Sequence, residues 1–412
     1  MLMKNRRTLF IVLCIWLVVL VCAQCMNHDK PVTNNRGEAF AGSDACKNCH
    51  RAVYDSFVHT AHHNDSKPAT KDAIKGSFAK EDRVFLYGYN RNRMVVMEER
   101  NDGLYQAAYI NGKPWQARRF DAVIGSGRKG QSYLTWDGNQ LFQLPISYFT
   151  PDTSWINSPG FPEAEILFNR VVYGRCLECH TTFAKAVPGH AATQETAFDN
   201  AQIIYGIECE RCHGPAARHV AFHTQHPEAK RGAFIVNPAA LPRQRRLDAC
   251  ALCHSGLGEA LKAPFSFSAG DTLAHYYTVN DNAATNASLD VHGNQYGLLK
   301  ASKCFVVSGT MDCSTCHNTH KKESSVAVFS QRCMTCHSEA NHNFCKMATA
   351  IGPSIKANCI DCHMPVQASK TMTIGDPKLE AVTAASVRSH LIAIYKEATQ
   401  KYLDTLQKHK AL

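Results

Sequence analysis

Seven times in this chain two cysteines stand three residues apart and a histidine follows the second. In chain order these are sites 1 to 7: Cys46, Cys49 and His50; Cys176, Cys179 and His180; Cys209, Cys212 and His213; Cys250, Cys253 and His254; Cys313, Cys316 and His317; Cys333, Cys336 and His337; and Cys359, Cys362 and His363. They use 14 of the 19 cysteines. Histidine is 21 of 412 residues, so chance would place one after a given pair about one time in twenty. Two thiols at this spacing match the two vinyl groups of one porphyrin, and the next residue lies under the iron as its proximal ligand. Zinc takes two such pairs per ion and has no use for a histidine after every second cysteine. A thioredoxin-like pair would occur once, near a βαβ pattern. The chemistry is therefore covalent attachment of seven haems c, with the seven motif histidines as proximal ligands. An eighth pair, Cys22 and Cys25, is followed by Met26 and is not counted.

The elements that must position these sites differ along the chain. From 82 to 150 there is neither cysteine nor histidine, and apolar and polar residues alternate. Turn signals at Asn101-Asp102-Gly103, Asn111-Gly112 and Asp137-Gly138 break this run into hairpins, which predicts a small antiparallel β module. From 165 onward the motifs crowd together, with few long periodic segments between them. Porphyrins are expected to supply the apolar core there, wrapped by short helices and loops, so that cofactor insertion is part of folding. Residues 378–408 read as one or two helices, with Val387, Leu391, Ile394 and Tyr395 on an apolar face. The expected fold is a mainly α and irregular multihaem cytochrome c fold with an inserted antiparallel β module and a C-terminal helix. Its expected divisions are 1–25, signal; 26–40, linker; 41–81, the site 1 module; 82–160, the β-rich insertion; 161–372, the hexahaem region; and 373–412, the C-terminal helical segment.

The start of the chain has an export signal's layout: Lys4, Arg6 and Arg7, then an apolar run from Leu9 to Val21, then Val21 and Ala23 as small residues before a cleavage point. An alternative is lipidation of Cys25, giving a lipid anchor. Either places the protein outside the cytoplasm, periplasmic or at the cell surface. Cys304 and Cys345 are then left as a disulfide pair, with two separate buried thiols as the alternative. The formal charge of +10 does not indicate nucleic acid. Three of the positive charges lie in the signal, and seven haems would bring roughly fourteen propionates.

Several stretches resemble the multihaem cytochrome c superfamily that includes the tetrahaem cytochrome of hydroxylamine oxidation and related multihaem oxidoreductases. They are "GSDACKNCHRAVYDSFVHTAHH", "GIECERCHGPAARHV", "DVHGNQY" with "SKCFVVSGTMDCSTCHNTH", and "CIDCHMP". The resemblance covers most of 41–365 and implies a distal histidine a dozen residues past the first motif, a position His62 fits. His219, His292, His320 and His390 are the other candidate distal ligands, chosen for nearness to a motif, for a family-like string, or for a place on the terminal helix. Nitrite reductases of this group carry lysine in place of one motif histidine, which none of the seven motifs here does. A cross-linked tyrosine marks hydroxylamine oxidation in the group, and nothing singles out Tyr276, Tyr277 or Tyr296 for that role. The expected function is transfer of electrons through closely packed low-potential haems between redox partner proteins, such as other cytochromes or a membrane quinol-oxidising complex. The alternative is an oxidoreductase with one open haem acting on nitrite, hydroxylamine or tetrathionate.

Overall fold

A computed structural model describes residues 31–88, 92–188, 195–256, 258–278, 290–376 and 381–410. The expected export signal, Cys22, Cys25, His28 and His190 lie outside the described residues. The expectation of a mainly α fold is corrected: helix makes up 29% and strand 26%, with the strands in four sheets. No helix among the described residues is long and apolar enough to cross a membrane.

Most of the strand lies between sites 1 and 2. Strand β1 (Ser66–Pro68) enters the region and β2 to β5 (Val84–Leu86, Arg93–Arg100, Gly103–Ile110 and Lys113–Arg119) form an antiparallel meander. The larger sheet then takes β6 (Ala122–Ile124), β7 (Gly130–Asp137), β8 (Gln140–Gln143), β9 (Ile146–Phe149), β10 (Ser154–Asn157) and β11 (Arg170–Val171), with β1 pairing back on β6. The turn chemistry follows the sequence: Asn111 and Gly112 both have positive φ, 51° and 73°, as a tight hairpin requires. Alternate residues of β3 and β4 face inward, so Val95, Met97, Leu104 and Ala108 meet Tyr133, Leu144, Ile146 and Trp155 in one apolar core. Each such side chain, fully buried, contributes roughly 1.5–3 kcal/mol. Gln106, buried among them, donates from Nε2 to the Ile146 carbonyl at 2.7 Å and accepts from the Ile146 amide at 3.0 Å. A Cβ at Gly76 would lie 2.1 Å from the Trp155 ring, so only glycine allows that close approach.

Beyond Val171 the elements shorten. Motifs sit on helices such as Gly174–His180, Cys209–His213, Arg243–His254 and Ile360–His363. Two hairpins that the sequence reading took for loop or helix each follow a motif: β12 (Thr181–Ala186) with β13 (Phe198–Tyr205), and β14 (Val366–Asp376) with β15 (Ala381–Arg388). The second overturns the helical reading of 378–408: among the described residues of that stretch, only those within the helix Lys396–Lys410 are helical. Thr383 and Val387 are β-branched residues that fit a strand, and the pairing of Gln367 with Val387 fixes the register. His390 consequently lies in the connection after β15 and not on a helix.

Candidate functional site

One helical turn explains the motif geometry. Residues i and i+3 share a face, so both thiols of a pair point the same way, and the histidine follows on the next step of the turn. Helix Cys209–His213 is a complete motif in a single turn. Motif histidines are then aimed from behind. His180 Nδ1 lies 2.9 Å from Asp65 Oδ2, His213 Nδ1 2.9 Å from the Val236 carbonyl, and His254 Nδ1 3.4 Å from Gln295 Oε1. His337 Nδ1 meets the Asn343 carbonyl at 3.1 Å and His363 Nδ1 meets the Ala393 carbonyl at 2.9 Å. These partners are oxygens that can only accept, so Nδ1 carries the proton and Nε2 keeps its lone pair for a metal.

Three motif histidines face a second imidazole brought from far along the chain. His254 faces His62 with ring centres 6.3 Å apart, His213 faces His320 at 6.1 Å, and His317 faces His390 at 6.1 Å. Two imidazoles bound to one metal at about 2 Å each, with ring centres about 1.1 Å behind the nitrogens, would stand about 6 Å apart. The residues therefore fit an iron held between them. Burial holds His62, His254, His317, His320 and His390 below the ordinary histidine range, His390 at about 4, which keeps them in the neutral form that binds metal. His254, His317 and His320 are exposed residues.

His62, His320 and His390 are thus brought to motif histidines. His219 is not: its Nδ1 lies 2.8 Å from the Ala233 carbonyl, and its ring packs on His223 at 4.6 Å. His292 is exposed, with its backbone amide donating to Asp290. Nor are the tyrosines free. Tyr276 donates to Asp271, Tyr277 to Glu178, and Tyr296 OH lies 3.4 Å from Gln244 Nε2.

The attachment cysteines also meet across motifs. Sulfurs of Cys46 and Cys209, Cys179 and Cys253, Cys250 and Cys313, and Cys333 and Cys359 are within hydrogen-bonding reach of each other. Cys212 lies near Cys250, and Cys316 near Cys333. The contacts run from site 1 to 3, 4, 5, 6 and 7, with site 2 joining at site 4. Cys304 and Cys345, expected as a disulfide, are both free thiols. Cys304 neighbours Cys316 and Cys336, whereas Cys345 neighbours Cys362, so they belong to different motif surroundings.

Charged residues between the paired cysteines tie the sites together, a role the sequence reading missed. Glu178, fully buried in motif 2, accepts from Arg175 Nη1 at 2.8 Å, from the Phe265 amide at 2.8 Å and from Tyr277. Arg211 of motif 3 donates to the Glu178 carbonyl at 2.8 Å, and Arg175 to the Leu252 carbonyl of motif 4 at 2.6 Å. Glu210 accepts from the amides of Ala41, Gly42 and Ala216, fastening the site 1 segment to motif 3. The only hint in the sequence was an acid inside a motif, in C-L-E-C-H and C-E-R-C-H. The Arg175 guanidinium also packs over the Tyr277 ring and the Arg211 guanidinium over the Phe265 ring.

Residues 168–214 match the model of the family described as Cytochrome c554 and c-prime. The fold is similar to that of the outer cell wall cytochrome OcwA, with a TM-score of 0.50 and 19% sequence identity, over 89% of this chain and 82% of that one. No curated protein matches the chain. The family model matches this one stretch, and the likeness to the solved structure is one of fold.

Proposed function

We propose that this chain is an exported cytochrome that carries seven haems c and transfers electrons between redox partner proteins at the cell surface. The observation that carries this is the set of three imidazole pairs, each standing at the separation that one iron requires. Bound haem supplies a one-electron iron couple at each site. The chain's own residues do the rest. The motif cysteines would hold each porphyrin through thioether bonds, and their neighbours across motifs would bring successive sites close from site 1 through sites 3 to 7, with site 2 as a branch at site 4. His254 with His62, His213 with His320, and His317 with His390 would hold the iron at sites 4, 3 and 5, a pair of imidazoles that would favour a low potential and leave no place for substrate. Carbonyl acceptors behind His213, His337 and His363 lock the ring orientation. Likeness to an outer cell wall cytochrome supports an extracellular or cell-surface location, reached through the amino-terminal signal and secured by a lipid on Cys25 if that residue is modified.

Intact mass of the matured protein tests the stoichiometry: seven haems are expected on a chain cut after Ala23 or lipidated on Cys25. Electron paramagnetic resonance of the ferric protein should show low-spin iron only, and the reduced protein should bind little carbon monoxide. Fewer than seven haems would remove a site. A high-spin signal from about one iron in seven would turn the reading toward an enzyme with an open haem, to be tried on nitrite, hydroxylamine and tetrathionate.

A further inference from the structure

We infer that Asp65 is a positioning residue that makes the iron at site 2 more reducing than those at sites 3, 4, 6 and 7. This rests on the reading of site 2 as a haem attachment site. Its starting point is a difference in what stands behind the motif histidines. His213, His337 and His363 meet backbone carbonyls and His254 meets a side-chain amide, all neutral acceptors. His180 alone among these five meets a carboxylate, Asp65, at 2.9 Å. A charged acceptor pulls the Nδ1 proton further from the ring, so Nε2 becomes a stronger donor. Stronger donation stabilises the oxidised metal over the reduced one and lowers its potential.

The contact is built into the fold. The Asp65 carbonyl accepts from the Gly125 amide at 2.5 Å, and the Asp65 amide donates to the His62 carbonyl at 3.1 Å. The next residue grips the histidine's own backbone: Ser66 Oγ donates to the His180 carbonyl at 2.5 Å and accepts from the Gly206 amide at 2.9 Å. Ser66 opens strand β1 and pairs with Ile124 of β6, so the β sheet holds the carboxylate's segment in register. Gly125 has φ +99°, and a Cβ there would lie 2.7 Å from the Gly130 carbonyl, so the loop that presents its amide to Asp65 needs glycine. The glycine-rich stretch 124–130 of the β region thereby acts on the motif region through hydrogen bonds.

One short segment also reaches two sites at once. His62 faces His254 of site 4, while Asp65, three residues on, holds His180 of site 2. These are the two sites whose sulfurs meet at Cys179 and Cys253. A carboxylate on one side of that junction and a neutral amide on the other creates a potential difference between adjacent sites, with site 2 the more reducing.

The test is Asp65→Asn in the full, matured chain, read by a spectroelectrochemical titration beside intact mass. Seven haems should remain, one midpoint potential should rise, and the other six should stay. Asp65→Glu, which keeps the charge, should restore the lower value at least in part. Seven attached haems with all seven potentials unmoved in Asp65→Asn would overturn the inference. Absence of haem at Cys176 and Cys179 in the wild type would instead overturn the attachment reading, and a tryptic peptide mass separates the two failures. Should Asp65→Asn fail to mature, near-infrared magnetic circular dichroism of the wild-type ferric protein decides: one iron with imidazolate-like ligation is expected, and seven irons with ordinary neutral imidazole would overturn it.

Discussion

Between Ser66 and Val171 the chain covers most of its own apolar side chains, Trp115 and Val84 being the exceptions. Val95, Met97, Tyr133, Leu144 and Ile146 have 0% exposure, and the aromatic rings of Phe78, Phe120, Tyr133 and Trp155 pack on one another. After Val171 the same chain leaves Val306 67%, Val307 73% and Ile394 81% exposed, its own main buried cluster is smaller, and a further cluster joins Leu134 and Leu141 of the β region to Leu177, Phe183 and Phe198. The exposed valines follow Cys304, a neighbour of Cys316 at site 5, and Ile394 follows Ala393, whose carbonyl holds His363 of site 7. One half is a side-chain core closed by sheets. The other is made of short helices and two hairpins that carry six of the seven attachment motifs and two of the three imidazole pairs entirely within it. The β region buttresses the motif half, as the Gly125 amide on the Asp65 carbonyl and Asp65 behind His180 illustrate.

The most severe way to break this contrast is to block haem attachment altogether, by producing the exported chain in cells that lack cytochrome c maturation. The region from 172 to 410 should then lose nearly all amide protection in hydrogen exchange, while Val95, Met97 and Tyr133 remain protected. Equal loss in both halves would show that the β core depends on the cofactors. Truncation inside the β core is next in size. Trp155→Ala should cost about 3–5 kcal/mol and Met97→Ala about 2–5 kcal/mol in denaturant unfolding of the β region, with the haem absorption spectrum of the folded protein unchanged. A spectral change in Met97→Ala would mean the two halves are packed as one. Smallest is the effect of Glu195, whose backbone carbonyl accepts from the Gly174 amide at the head of the motif 2 helix. Burial, with the Glu178 charge second, pushes its carboxyl up to about 7. The folded chain therefore holds this proton between about pH 4.5 and 7 where the unfolded chain releases it, and stability falls as pH rises through that window. Glu195→Gln should be more stable than the wild type above pH 7, and the difference should vanish below about pH 4.5, as read from melting temperature against pH. Parallel curves would remove Glu195 from the account of the motif region.

How much of this could be read beforehand depends on the distance over which each signal acts. The attachment motifs are contained in five residues, and the hairpin turns at Asn111-Gly112 and Asp137-Gly138 in two, so both were visible at once. Facing imidazoles were visible only as candidates: His62 and His254 are brought together by contacts between the site 1 segment and the later motifs that no local pattern encodes. The hairpin β14–β15 was misread because Ala, Ser and Thr interrupt its alternation, and an apolar spacing of Val387, Leu391 and Ile394 imitates a helix face. Asp65 could not be singled out from 35 acidic residues, since its meaning arises only where β1 brings it to His180. Glu178 and Glu210 lay in plain view inside motifs, but their burial, 0% and 3% exposed, came from packing against other motifs.

The most direct test of the facing pairs is electron paramagnetic resonance of the matured His320→Ala protein. Its ring stands 6.1 Å from that of His213, stacked at 25°. With an iron held between the two, removal of His320 should convert one low-spin iron per molecule to high spin and create one binding site for carbon monoxide on reduction. An unchanged low-spin spectrum, with all haems present and no carbon monoxide bound, would contradict the claim that these histidine pairs hold the irons.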